Sequence, residues 1–445
     1  LKPFGSSLKL DTAWRAEGKA PSRILHSTSD TEPHSMLPVA VLLLVARTAV
    51  AQVPTEVINL DLPPAERWRD FAGRHRESII AKASSTGKAY EVGIGKEMMT
   101  RWMNAAPVSD VHMAEYKSIV RYVDDPEVTL QRLIITDMWH AVQAPTFGCT
   151  GLLMAMSNGT VIHGRNVDYD IVTTNKQRED FPPKIDAPND WFNGILTRAG
   201  KPIASFLGMT SGGLGIHTGL RFKDGPHTGW SINSNARIAP NNITLNLLAT
   251  EAGSKNFPWL IREFLEDIPD YSTLLKTVES MNVNAPNYFI LAGSDPYEGA
   301  VVTKDRGGVQ EPDTPPPRFL SSEQGIWELV QTNDDVNKQP LDRRRNIETR
   351  RLSTYSQSNV SEGFVLNEMK SFPVENSDTL LSWVANPASG FYRTFPRPEQ
   401  EMRAAYLDRI VHKELHIPMP HEFPSSVSLA QSALEPLASP QVRRG

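Results

Sequence analysis

The chain has 445 residues, 40% of them apolar, enough for one large domain or two ordinary ones with a full core. Lys and Arg number 46 against 51 Asp and Glu, a net charge of −5, so no basic field marks a nucleic-acid partner. A single cysteine excludes an internal disulfide and a cysteine metal cluster.

Residues 1–35 are polar, rich in Ser, Thr and charge, and have no period. From Met36 an apolar run leads to Ala49-Val50-Ala51, a small-x-small site before Gln52. We read 36–51 as a secretory signal peptide with translation starting at Met36, and 1–35 as an upstream extension foreign to the protein. That route predicts a lysosomal or secreted protein. Asn158-Gly-Thr, Asn242-Ile-Thr and Asn359-Val-Ser are glycosylation sequons that fit it. No other run approaches the roughly 20 apolar residues that span a bilayer.

Residues 52–148 are expected to be largely helical. Asp125-Pro126 resembles an N-cap with a first-turn proline, and Leu130, Leu133, Ile134 and Met138 mark one apolar face. That helix should end near Val142, with a break at Ala144-Pro145. The pattern then changes. Leu152–Met156 and Thr160–Arg165 are strand-like runs around Ser157-Asn158-Gly159, and Asn-Gly between such runs signals a hairpin. Cys149 opens the first strand, and Arg165 and Asp168 emerge where the second ends.

Further strands are expected at Ile203–Met209, Gly213–Thr218, Gly229–Asn233, Tyr288–Ala292 and Ala300–Lys304. A helix runs from Trp259 through Leu265 and resumes after Pro269 to Val278. Residues 307–317 form a loop, and the proline-containing stretch 417–445 a loosely ordered tail. Arg343 to Arg345 with Arg350 and Arg351 read mostly as a solvated helix face, one arginine being kept for a site.

A lone cysteine is ordinarily a small buried hydrophobe. Two observations point to nucleophilic chemistry here. Gly148 before Cys149 permits backbone geometries closed to other residues, and the hairpin returns Arg165 and Asp168 to the thiol. By strand alternation His163 lies on the side of Arg165, so a Cys–His pair stays open, although no papain-type signature surrounds Cys149. His412 and His416 are spaced i, i+4, but Glu414 has the wrong offset for a zinc helix. No metal or other cofactor is predicted. Gly212-Gly213-Leu214-Gly215 lacks dinucleotide-binding spacing and reads as a strand with close backbone packing.

Cys149-Thr150, followed by His163-Gly164-Arg165-Asn166-Val167-Asp168-Tyr169, resembles the N-terminal-nucleophile amidases of the acid ceramidase and N-acylethanolamine acid amidase family. The resemblance runs from about Val57 to about Phe395. Along it lie Leu62-Pro63-Pro64-Ala65-Glu66-Arg67-Trp68, Trp259-Leu260-Ile261-Arg262, Tyr288-Phe289-Ile290-Leu291, Glu298-Gly299, Gln331-Thr332-Asn333 and Asp342-Arg343-Arg344-Arg345. It implies an α+β fold, the N-terminal-nucleophile hydrolase αββα sandwich with a helical N-terminal segment. It also implies a precursor cut between Gly148 and Cys149 into an α-subunit, 52–148, and a catalytic β-subunit, 149–416, held together without a disulfide.

By the same resemblance Cys149 is the nucleophile and Arg165 the cation that favours its thiolate. Asp168 would hold the freed α-amine, Asn333 would be the oxyanion donor, Arg344 the second arginine and Asn235 a further polar contact. Gly151 stands where a serine is common, and Ala236 where relatives carry a glutamate. The implied reaction is hydrolysis of fatty N-acyl amide lipids, N-acylethanolamines or ceramide, through a thioester. The enzyme would work peripherally at a membrane surface; the Trp259–Ile268 helix reads first as a plain core helix, with docking of its apolar face as the other reading. Two alternatives stand beside it: an amidase of the bile-salt or penicillin-acylase kind with a non-lipid substrate, and a silent secreted binding protein, suggested by Ala236.

Overall fold

The computed structural model describes residues 53–142, 148–168, 190–238, 240–307, 313–339 and 342–397, all within the unit Val50–Gly445. The extension 1–35, the leader 36–51, the break at Ala144-Pro145, the His412 and His416 pair and the tail 417–445 lie outside the described residues.

The upstream segment is largely helical, with one strand, β1 (Thr55–Asn59), ahead of its helices. The strand's burial alternates, with Glu56 and Ile58 inward, the period of a half-buried strand. Helices follow: α1 (Arg69–Arg74), α2 (Arg76–Lys82), α3 (Lys88–Ile94), α4 (Lys96–Ala105), α5 (Asp110–Val123), α6 (Leu130–Asp137) and α7 (Trp139–Val142). The cap of α6 is Thr129, whose hydroxyl accepts from the Arg132 amide, and not Asp125. Asp125 instead closes a local turn by accepting from the Glu127 amide at 3.0 Å.

The hairpin falls where Asn-Gly places it. Strand β2 (Cys149–Ala155) pairs antiparallel with β3 (Val161–Asp168), so Cys149 faces Val167 and Gly151 faces Arg165. Gly159 takes φ 87°, a left-handed conformation that suits glycine at this turn. Then come β4 (Trp191–Arg198), β5 (Lys201–Met209), β6 (Thr218–Arg221) and β7 (Trp230–Ala236). Residues 213–217 form a loop and only Thr218 onward is strand, a correction to the expected Gly213–Thr218. Helices α8 (Ile243–Glu251), α9 (Phe257–Asp267) and α10 (Tyr271–Ser280) precede β8 (Asn287–Gly293), β9 (Gly299–Lys304), β10 (Arg318–Phe319) and β11 (Glu328–Gln331). The described chain closes with α11 (Arg343–Leu352), α12 (Glu362–Met369), β12 (Thr379–Asn386) and β13 (Phe391–Pro396).

Two sheets result. One has eight strands in the order β1-β4-β5-β6-β7-β8-β9-β10, and the other five, in the order β11-β2-β3-β12-β13. Side-chain alternation along the hairpin makes the layers. Leu153, Ala155 and Val161 face the larger sheet and pack on Ile290, Ala292 and Val301. Their neighbours Leu152, Met154 and Ile162 face outward onto Leu352, Val365 and Met369 of α11 and α12. On the far face of the larger sheet, Trp230, Ile232, Phe289 and Leu291 pack with the upstream helices and α9. This is an αββα sandwich, as the resemblance implies. Strands buried on both faces lose the apolar–polar alternation that marks a half-solvated strand.

The packing decides two functional readings. Trp259, Leu260, Ile261, Phe264 and Leu265 are all buried, so α9 is a core helix and offers no face to a membrane. Nor is α11 a solvated basic face. Arg345 is buried, and Arg344 and Arg351 are tied into ion pairs. Leu265 lies over Gly219, where an added Cβ would sit 2.5 Å from its Cδ1. Leu265→Ala should therefore cost about 2–5 kcal/mol of unfolding free energy in urea titration, whereas Leu248→Ala on the exposed side of α8 should change it by under about 0.5 kcal/mol.

Candidate functional site

The hairpin's antiparallel register brings the N-terminal end of β2 beside the C-terminal end of β3, which places a guanidinium at the thiol. Arg165 Nη2 lies 3.6 Å from Cys149 Sγ, and Cys149 is partly exposed while Arg165 is only 3% exposed. A buried cation must be held by acceptors. Arg165 donates to the His217 carbonyl at 2.6 Å, the Ser234 carbonyl at 2.9 Å and the Thr218 hydroxyl. All three acceptors belong to the opposite sheet or the loop entering it.

The peptide bond at the head of β2 is gripped from both sides. The Cys149 amide donates to Asn333 Oδ1 at 2.6 Å. The Gly148 carbonyl accepts from the Asp168 amide at 3.0 Å, which continues the β2–β3 ladder by one rung. Asn333 Nδ2 donates to the Ala236 carbonyl at 2.8 Å, so in the intact chain this side chain presents its acceptor to Cys149. Asn235 Nδ2 bridges the carbonyls of Gln331 and Cys149, at 3.1 and 3.4 Å.

Arg344 joins these groups. It donates to Asp168 at 2.9 Å, Asn333 Oδ1 at 3.0 Å and the Cys149 carbonyl at 3.2 Å. Asp342 caps α11 and pairs with the same guanidinium at 2.9 Å. Burial alone would raise the Asp342 carboxyl, but Arg344 outweighs it and holds Asp342 below the usual range. Gly148 has a specific reason to be glycine. A Cβ there would sit 2.5 Å from Arg344 Nη1, while its φ is not in the left-handed region. The conformational freedom inferred from sequence is thus not what the position uses.

Asp168 is fully enclosed. Thr379 donates to it at 2.7 Å and Asn376 at 3.4 Å, neither residue signalled by the local sequence. Burial pushes its carboxyl up to about 6 against the pull of Arg344 and Thr379. His163 lies on the Arg165 side of β3 but bonds Ser231 at 2.8 Å, and burial followed by Arg165 lowers it to about 3. It has no hydrogen bond to Cys149, so the described residues do not form a Cys–His pair. Gly151, whose added Cβ would lie 2.6 Å from Ile290 Cδ1, lets the two sheets close beside the thiol. No group of three or more His, Cys, Asp or Glu among the described residues could hold a metal ion.

The three sequon asparagines are exposed, at the hairpin turn, at the cap of α8 and in the turn after α11. Asp168 also gives a pH prediction. A carboxyl whose folded value exceeds its unfolded one binds more protons in the fold. Its contribution is therefore most favourable below the ordinary 3.8 and is lost as pH rises to about 6. Urea unfolding should show the native chain losing stability relative to Asp168→Asn over that window, and a constant difference above it.

Known proteins resemble this chain over most of its length. A family model described as the beta subunit of N-acylethanolamine-hydrolyzing acid amidase matches residues 51–84. Acid ceramidase of Homo sapiens is 27% identical over 373 residues, covering 78% of this chain and 86% of that one. N-acylethanolamine-hydrolyzing acid amidase of Caenorhabditis elegans is 24% identical over 338 residues, covering 74% and 88%. A solved structure of a Caenorhabditis elegans ortholog of that amidase superposes with a TM-score of 0.48 at 25% identity, over 56% of this chain and all of that one. The likeness to both kinds of protein runs along most of the chain and spans the hairpin.

Proposed function

We propose that this amidohydrolase is made as a precursor that cuts itself between Gly148 and Cys149 and then hydrolyses fatty N-acyl amide lipids with the Cys149 that the cut exposes. One observation carries the reading. The peptide bond ahead of the thiol has its N–H on Asn333 and its carbonyl on the Asp168 amide, with Arg165 against the sulfur. Few structural needs would gather those groups on one peptide bond.

In the first step the Cys149 thiolate adds to the Gly148 carbonyl carbon. The negative charge that develops on the carbonyl oxygen is met by the Asp168 N–H already bonded to it. The C–N bond breaks, the amine nitrogen of Cys149 takes a proton, and a thioester joins Gly148 to the sulfur. Water then releases a Gly148 carboxylate and frees both the thiol and the α-amine. In the second reaction the same thiol attacks the lipid amide, the α-amine relays the proton to the leaving nitrogen, and water clears the acyl group. Asn333 Oδ1 is placed to orient the new amine, and Asp168 acts through Arg344 on the same cluster. Presentation of an Asn333 N–H to the lipid oxyanion would require its amide to leave the Ala236 carbonyl.

The segments 52–148 and 149–416 stay joined after the cut through β1, which adds to the edge of the larger sheet beside β4, and through the upstream helices packed on it. The exposed sequons support passage through the secretory route to a lysosomal or extracellular site. Peripheral contact with lipid falls to α8 in place of α9, since Ile243, Leu245 and Leu248 are exposed at 37%, 46% and 50%. No described helix is long and apolar enough to cross a membrane.

Intact mass and N-terminal sequencing after mild acid treatment test the processing step, with a new terminus expected at Cys149. Cys149→Ala should abolish it, and Gly148→Val, which drives a side chain into Arg344, should slow it at least tenfold. A native chain that remains whole, yet hydrolyses neither a long-chain N-acylethanolamine nor a ceramide, would sink the proposal. Leu245→Asp with Leu248→Asp should reduce liposome cosedimentation about tenfold or more, each buried leucine being worth about 1.5–3 kcal/mol.

A further inference from the structure

Arg165 is the cation at the thiol, and one of the three acceptors that fix it comes from the end of the loop of residues 211–217, the others being Thr218 of β6 and Ser234 of β7. That loop makes no hydrogen bond to Cys149. Its last residue supplies the His217 carbonyl that accepts from Arg165 at 2.6 Å, and the next residue supplies the Thr218 hydroxyl. The same His217 carbonyl accepts from the Ser234 amide at 3.0 Å, which seats the end of the loop on β7.

The loop is anchored from the other side of the Gly148–Cys149 bond. Asp137, the last residue of α6, is 8% exposed, and its Oδ2 accepts from the Leu214 amide at 2.6 Å and the Gly215 amide at 2.8 Å. The Tyr116 hydroxyl donates to the same oxygen, and Trp259 Nε1 stands 3.4 Å away. Gly213 and Gly215 permit the approach. A Cβ on Gly213 would lie 2.2 Å from Asp137 Oδ1, and one on Gly215 would lie 2.7 Å from Pro258 Cβ. The His140 ring of α7 adds a contact with the His217 ring, centroids 4.8 Å apart.

We propose that Asp137 is a positioning residue for the nucleophile: from upstream of the cleavage point it fixes the 211–217 loop, and through that loop the Arg165 guanidinium at Cys149 Sγ. Two interior amides that lose their acceptor must find another, and a loop of small residues finds one by shifting. A shift of an ångström at His217 removes Arg165 from a sulfur it touches at 3.6 Å. Cutting the Gly148–Cys149 bond leaves every one of these contacts intact, so the upstream segment remains a working part of the site. Its catalytic consequence rests on the reaction proposed above, but its geometry does not.

The test is the rate of Cys149 carbamidomethylation by iodoacetamide at pH 7 on the full chain, with intact mass recording whether the Gly148–Cys149 bond is cut. A cation beside a cysteine sulfur promotes its attack on an electrophile, so displacing Arg165 should slow the reaction. Asp137→Leu should slow alkylation about tenfold, and Asp137→Asn, which keeps a carbonyl acceptor, should stay within about twofold of native. In an Arg165→Met background, Asp137→Leu should add no further slowing. Mere loosening of the fold exposes the thiol and speeds alkylation. An unchanged or faster rate in Asp137→Leu, or its full effect persisting without Arg165, overturns the proposal. Should Asp137→Leu fail to fold, Asp137→Ser is read by the same criteria. Slowed alkylation in a chain that hydrolyses no lipid amide would retain this inference and discard the reaction.

Discussion

A guanidinium buried between two sheets must be held by acceptors, and much of the arrangement around Cys149 follows from that need. Arg165 finds carbonyls at His217 and Ser234 and a hydroxyl at Thr218, so the smaller sheet contributes the cation and the larger sheet and its loop the cage. Its Nη2 also lies 3.6 Å from the sulfur, while its buried Nε has no hydrogen-bond partner. Stacking of the sheets and electrostatics at the thiol are therefore one constraint. The sandwich cannot slide without exposing a charge to an interior that does not solvate it.

Arg344 has a different office. Placed at the start of α11 by the Asp342 cap, it spans Asp168, Asn333 and the carbonyl of Cys149. Two carboxylates on one guanidinium keep it charged at any accessible pH, burial notwithstanding. The peptide bond ahead of the cysteine thus sits beside two permanent cations. A glycine on its acyl side is a steric requirement of the second. The Ala236 side chain takes no part in this network, because the Ala236 backbone carbonyl is what Asn333 uses.

Local physics made part of the molecule legible. Asn-Gly between two apolar runs specified the β2–β3 hairpin, and register then followed from alternation: Leu153 inward, Leu152 outward, Cys149 at the open end. Strands β5, β7, β8 and β9 announced themselves by β-branched and aromatic content. Strand β1 did not, since five residues beginning Thr-Glu carry little signal, and it becomes a strand by adding to the edge beside β4. Strand β12 and helix α12 lie in polar or mixed text whose burial comes from distant partners. The glycine-rich stretch at 212–215 looked like a strand for a sound reason, close backbone approach, but the partner was the Asp137 carboxylate and not a neighbouring strand.

The same division holds for the site. Cys149, Arg165 and Asp168 could be grouped from spacing, because a hairpin converts short sequence distance into contact by geometry alone. Resemblance added Asn333, Arg344 and Asn235. Nothing local pointed to His217, Thr379 or Asn376, which reach Arg165 and Asp168 from other elements, or to Asp137, which holds the Leu214 and Gly215 amides. By itself the amino-acid order determined the thiol, its hairpin and the sign of the charges nearby. Only the tertiary structure decided which way Asn333 faces the Cys149 amide, that α9 is core while α8 leaves Leu245 and Leu248 exposed, and which groups accept from Arg165. Those outcomes depend on which buried polar group finds which distant partner, and a one-dimensional pattern does not contain that pairing.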